Sequence, residues 1–180
     1  MKRRTFLALG AQAAIVASTA SAAPSVRAAA KGFLAQSEER LLGAVLEILL
    51  PHGDDGSPGA SDLHALEYIL TVLNDPEIDE TDKSTIQEGL IALDRFTRGK
   101  RGRSFADLSI KDQQSTFEDF VEDGDGEDFA SMLLSYLMEA LFGDPSYGVN
   151  TDESGWRWIN HHPGFPRPPG PKWYRQKLRT

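Results

Sequence analysis

"SEERLLGAVLEILLPHGDD", Ser37 to Asp55, decides the fold class. Leu41, Leu42, Val45, Leu46 and Leu49 recur at helical steps, which lays one apolar stripe along one face. Ser37 reads as the N-cap. Glu38 and Glu39 follow in the first turn, where carboxylates meet the positive end of the helix dipole. Pro51 stops the helix.

The same period repeats outward from this stretch. "SDLHALEYILTVLND" is a second helix, capped by Ser61, with Leu63, Leu66, Ile69, Leu70 and Leu73 on one face. A third is expected over about Glu80 to Arg98, with Ile86, Leu90, Leu93 and Phe96 inward, followed by "GKRG" as a basic loop. Ser109 caps a fourth that places Ile110, Phe117, Phe120 and Val121 for burial. Asp123-Gly124-Asp125-Gly126 breaks the chain before "EDFASMLLSYLMEALF", the last and most apolar helix, which ends at Gly143. No segment alternates long enough to read as a strand. The expected fold is all-α, a bundle of about five helices over residues 31–143. Residues 144–180 are expected to form a long irregular segment rich in Pro, Gly and aromatics.

Residues 1–30 are set apart from the fold. Lys2, Arg3 and Arg4 precede an apolar, Ala-rich run from Phe6 to Ala17, and small residues follow as A-x-A-like cleavage sites. That is the build of an export leader, and the run is shorter than the ~20 residues that span a bilayer. Arg3-Arg4 followed by Phe6 and Leu7 fits the twin-arginine pattern, an address read by the export machinery. The expected location is therefore the periplasm. The chain has no cysteine, which excludes disulfides, thiolate-held clusters and covalent haem.

Charge divides the remainder. Lys31 to Glu153 holds all 27 acids against nine bases, a balance of −18, and six bases with no acid follow Glu153. So acidic a body is unsuited to nucleic acid, whose phosphates require Lys and Arg.

No catalytic or cofactor-binding constellation emerges. "EDGDGED" fails as a calcium loop: counted from Asp123, Asp128 stands at position six, which needs Gly, and Leu134 at position twelve, which needs Glu. His52 and His64 are twelve residues apart. His161 and His162 are adjacent, so neither pair has the i, i+4 spacing of a helical metal site. The sequence contains no G-x-S-x-G elbow, no G-x-G-x-x-G and no P-loop. On these grounds the chain is expected to hold no cofactor and no metal, and not to be an enzyme.

Two stretches together resemble a known family. One is "LLGAVLEILLPHGDDGSPGASDLHALEYI", a helix ending in Leu-Pro, an acidic turn and an apolar helix. The other is "LFGDPSYGVNTDESGWRWINHHPGFP", a helix ending in Phe-Gly, then Pro-x-Tyr-Gly-x-Asn, Gly-Trp and a Pro-Gly turn. In this order, behind a leader, they resemble the gluconate 2-dehydrogenase subunit 3 family over roughly Leu41 to Pro166. Gly148-Val149 stands where that family more often has Gly-Gly. Asn160 to Gly164 stands where a Gly-Tyr-Pro-Gly turn is common.

The resemblance implies a non-catalytic small subunit that supports export and maturation of an FAD-dependent sugar or sugar-acid dehydrogenase. FAD would reside in the large partner, and a cytochrome subunit often completes such complexes. Tyr147, Trp156, Arg157, Trp158, Phe165 and Trp173 are the expected partner contacts, because Trp, Tyr and Arg most often anchor interfaces. For Tyr147 and Trp156, packing on the bundle is an equal alternative. A second reading of the whole chain is a free-standing periplasmic helical module whose tail closes over a small ligand.

Overall fold

A computed structural model describes residues 32–124, 126–150 and 152–164. The expected leader residues Arg3, Arg4, Phe6 and Leu7, and the expected contacts Phe165 and Trp173, lie outside them. Six α-helices and no strand occur among the described residues: α1 Gln36–Leu49, α2 Ala65–Leu73, α3 Glu80–Arg101, α4 Ile110–Glu122, α5 Glu127–Phe142 and α6 Ser154–Trp158. The all-α reading holds.

α5 is the hub and packs against each of the other five helices. Its inner face carries Phe129, Leu133, Leu137, Ala140 and Leu141, all buried. Facing it are Leu42, Val45, Ile69, Ile86, Leu90 and Leu93 from α1, α2 and α3, each withdrawn from water. A fully buried Leu or Ile contributes roughly 1.5–3 kcal/mol relative to exposure, so this shared core dominates the stability of the body. α3 and α5 approach closely at Gly89, where a Cβ would sit 2.3 Å from the Phe129 ring. Two tyrosines tie neighbouring helices to α5 through polar atoms. Tyr136 of α5 donates to Asp82 of α3 (2.9 Å), and Tyr68 of α2 donates to Glu139 of α5 (2.6 Å).

Several boundaries differ from the sequence reading. The cap of α1 lies two residues earlier than expected, at Ala35, and the Glu38 carboxylate reaches back to accept from the Ala35 N–H at 2.7 Å. Ser61 is not a helix cap. Residues 60–64 form a tight turn in which Ala65 N–H donates to Ala60 O at 3.0 Å and His64 takes φ 54°, so α2 begins at Ala65. That turn places Leu63 fully in the core, whereas Leu66 and Leu70 are only half-buried.

"GKRG" is not a loop. α3 continues to Arg101 and stops at Gly102, whose φ of 69° suits glycine. The extra turn is held from α4: Lys100 pairs with Asp119 at 2.6 Å, and Arg101 donates to Thr116 and Ser115. Ser109 caps α4 as expected, accepting from Asp112 N. Ile110 is 78% exposed rather than buried, because the inward face starts a turn later with Gln113, Thr116, Phe117 and Phe120. Gln113 donates to the carbonyl of Phe105 (3.1 Å). Phe105 belongs to a 3₁₀ turn, Phe105–Asp107, and is fully buried against Phe117. The sequence reading missed this residue.

Candidate functional site

An α-helix ends with backbone carbonyls that lack intrahelical partners. At the end of α5 the following segment supplies them. The Trp156 indole N–H donates to Phe142 O at 2.9 Å, and Gly143 N–H donates to Glu139 O at 2.8 Å. Asn150, fully buried, works in both directions: its Nδ2 donates to Gly143 O (3.5 Å) and its Oδ1 accepts from Gly155 N–H (2.9 Å). Gly155 is needed there, because a Cβ would lie 2.0 Å from Leu141 O. Trp156 is 5% exposed and meets the His161 ring edge-on at 5.2 Å, while Val149 is buried with it. The segment is thus a cap for α5, made of a Pro145–Tyr147 3₁₀ turn and α6.

The backbone in this cap is unusual. Asn150, Glu153 and Asn160 have φ of 44°, 57° and 53°, and Gly148 has 85°. Non-glycine residues rarely adopt this region and cluster there at working sites. Asn is the residue that tolerates it best.

α6 faces the loop between α1 and α2 across a groove of about 730 Å³, whose lining includes His52, Asp55, Asp62, Asp152, Arg157 and Trp158. On the loop side, Asp62 accepts from Gly59 N–H and pairs with His52 Nδ1, both at 2.8 Å. The Asp62 hydrogen bond and charge raise the His52 pKa above its usual 6.5, and the same contact lowers that of Asp62. Hydrogen bonds from the Ser57 side chain and from Ser57 N–H, the latter at 3.0 Å, lower the Asp55 pKa as well. On the α6 side, Arg157 donates to the carbonyl of Asp152. Ser154, which also lines the groove, has its Oγ buried with no hydrogen-bond partner among the described residues. The two stretches that carry the sequence resemblance therefore line one groove.

The expected contact residues separate into two kinds. Tyr147 is 61% exposed, Trp158 is 45% exposed, and Arg157 is exposed. Trp156 takes the packing alternative: its ring is buried and its N–H is used by the fold. Phe142 and Ile159, which the sequence reading left out, are also exposed. Leu134 and Met138 lead toward Phe142 along the outer face of α5, each step four residues. The groove brings His52 and His64 together, but no group of three His, Asp or Glu among the described residues could hold a metal ion. No helix among them is long and apolar enough to cross a membrane.

The family model for gluconate 2-dehydrogenase subunit 3 matches residues 36–164. No curated protein and no solved structure matches the chain. The chain belongs to the gluconate 2-dehydrogenase subunit 3 family, and so to the accessory subunits of dehydrogenase complexes.

Proposed function

We propose that this chain is the non-catalytic small subunit of an exported FAD-dependent dehydrogenase acting on a sugar, sugar acid or other alcohol. It supports export, maturation and stability of the flavin-bearing large subunit. Family membership supports a place in such a complex. The observation that carries the docking role is the cap on α5. Its backbone is pinned by Asn150, Gly155 and Trp156, yet Tyr147, Arg157 and Trp158 remain exposed beside Phe142 and Ile159. A preordered surface loses less conformational freedom on binding, and exposed Tyr, Trp and Arg are the side chains that most often anchor interfaces.

In this reading Arg3-Arg4, with Phe6 and Leu7, directs the small subunit and its partner through the twin-arginine machinery to the periplasm. FAD belongs to the large subunit, a cytochrome subunit passes its electrons onward, and Phe165 and Trp173 add to the contact. The alternative, a free-standing periplasmic ligand-binding module, draws support from the polar groove beside α6.

Co-production of the full chain with its large subunit, wild type against Tyr147→Ala/Trp158→Ala, tests the reading. Both rings are exposed, so the melting temperature should hold. Losing two anchors should weaken association roughly a hundredfold, and periplasmic dehydrogenase activity should fall with it. Undiminished co-purification would sink the docking role. A monomer carrying a small ligand, with no flavoprotein attached, would favour the alternative.

A further inference from the structure

The groove between α6 and the loop from α1 to α2, of about 730 Å³, carries acid on both walls. Asp55 and Asp62 stand on the loop wall, Asp152 stands where the chain enters α6, and all three are exposed. Asp54 and Glu153 are their neighbours in sequence. Against these acids the lining sets Arg157, His64 and His52, and His52 is already paired with Asp62. Acceptor capacity is left over. Both contacts of Asp62 use Oδ2, so its Oδ1 has no hydrogen bond among the described residues. Asp152 lends its backbone carbonyl to Arg157, and its carboxylate has no ion pair or hydrogen bond among them. The groove thus holds negative charge in excess, on two separate elements, with open acceptors for a cation.

The chain itself delivers a cationic segment to this place. Phe165 to Thr180 holds Arg167, Lys172, Arg175, Lys177 and Arg179 with no acid, a charge of +5. The residues before it are tied to α6. His161 N–H donates to Trp156 O at 2.8 Å, and Pro163 lines a pocket with Glu153 and Arg157. Arg157 lines the acidic groove as well. Gly164 follows directly, and Arg167 is three residues further on, a span of up to about 10 Å. The basic leader is placed worse, because it joins the body ahead of α1. The 14 residues of that helix put about 20 Å between the junction and the groove. Single exposed ion pairs are weak, but a tethered segment binds at high effective concentration. The tail of a second copy lacks that advantage, and two bodies of −18 repel.

We propose that residues 165–180 fold back into this groove, with their Arg and Lys side chains on Asp152 and Asp62. The groove then serves as a seat for the chain's own tail, and any small ligand must compete with it. The seated tail brings Phe165 and Trp173 to the side of the molecule that carries Trp158. This contact lies within one chain and does not depend on the dehydrogenase partner.

A photo-crosslinking substitution, Ser61→p-benzoylphenylalanine, in the purified full chain tests the proposal. Ser61 is exposed and lines the groove. Irradiating a mixture of ordinary and isotope-labelled chains, followed by mass spectrometry, should join position 61 to residues 165–180 of the same molecule. Asp152→Lys should cut the yield about tenfold, and Asp152→Glu should keep most of it. Raising the salt to about 0.5 M should lower the yield of the unsubstituted groove too. Lys172→Glu/Arg175→Glu, which leaves every residue of the helical body in place, should give the same loss as Asp152→Lys. Crosslinks between differently labelled chains, to the leader or only to the body overturn the proposal. Equal yield in the Lys172→Glu/Arg175→Glu variant overturns it as well. Such a failure leaves the subunit reading untouched.

Discussion

Leu137, in the middle of α5, and Asn150, in the cap that follows it, are both fully buried, yet they hold the molecule by different means. Leu137 belongs to a core of leucine, isoleucine, valine and phenylalanine contributed by α1 to α5. That attraction is proportional to area and has no preferred direction. Asn150 makes two hydrogen bonds of fixed geometry from a left-handed backbone. The body is thereby made stable, and the cap is made specific: one arrangement satisfies the orphan carbonyls of α5 and the others leave them bare.

The largest effect should come from breaking the body. Leu137→Ala should cost about 2–5 kcal/mol, because the neighbouring helices cannot fully close the cavity. In a domain whose whole margin is about 5–15 kcal/mol, thermal melting by circular dichroism should fall sharply, and Trp156 fluorescence should change in the same transition. A separate, earlier Trp156 transition would mean that the cap is independent of the core.

Asn150→Ala should act locally. It leaves the buried Gly155 N–H without its acceptor, a loss of about 1–3 kcal/mol. Hydrogen exchange at Gly155 should accelerate while amides of α3 and the middle of α5 keep their protection, and helical content should remain. A destabilisation of the whole body equal to that of Leu137→Ala would erase the distinction between the two regions.

The smallest effect concerns the loop facing the cap. The His52 pKa is raised and that of Asp62 is lowered by their contact. Support from the imidazolium is full below the unfolded His value and is lost as pH rises through the raised folded one. Support from the carboxylate is present above the unfolded Asp value and is lost as pH falls through the lowered folded one. The pair therefore works between those limits. In an NMR titration the His52 midpoint should lie above the usual 6.5 and return toward it in Asp62→Asn. Since both side chains are largely exposed, the melting temperature should barely move. An unshifted His52 in the wild type would remove the pair from the description of the groove.

The body was legible because apolar residues repeat at helical spacing and depend little on distant context. Leu41 to Leu49 and Ile86 to Leu93 reveal their helices by period alone. The misreadings fall where partners distant in sequence decide the outcome. Ser61 looks like a cap, but the Ala60–Ala65 turn delays the helix. Lys100 and Arg101 look like loop, but acceptors on α4 keep them helical. Ile110 looks buried, but the neighbouring elements do not cover the first turn of α4. In the cap, Trp156 and Trp158 are two residues apart with the same side chain, and period cannot separate them. The Phe142 carbonyl does so by binding one indole N–H. Asn150 stood in plain view within Gly-x-Asn, and its role required knowing where α5 ends.

The acceptors that fix the cap, the carbonyls of Phe142 and Gly143, are in position only when α5 has coiled and its neighbours have closed around it. Tyr147 and Trp158 therefore take their final arrangement only on that folded helix. A surface assembled on a finished body reports that the body is finished. Any protein that grips it distinguishes mature copies from immature ones without touching the interior. In the proposed complex, quality control is then a property of the docking face, with no separate inspector required.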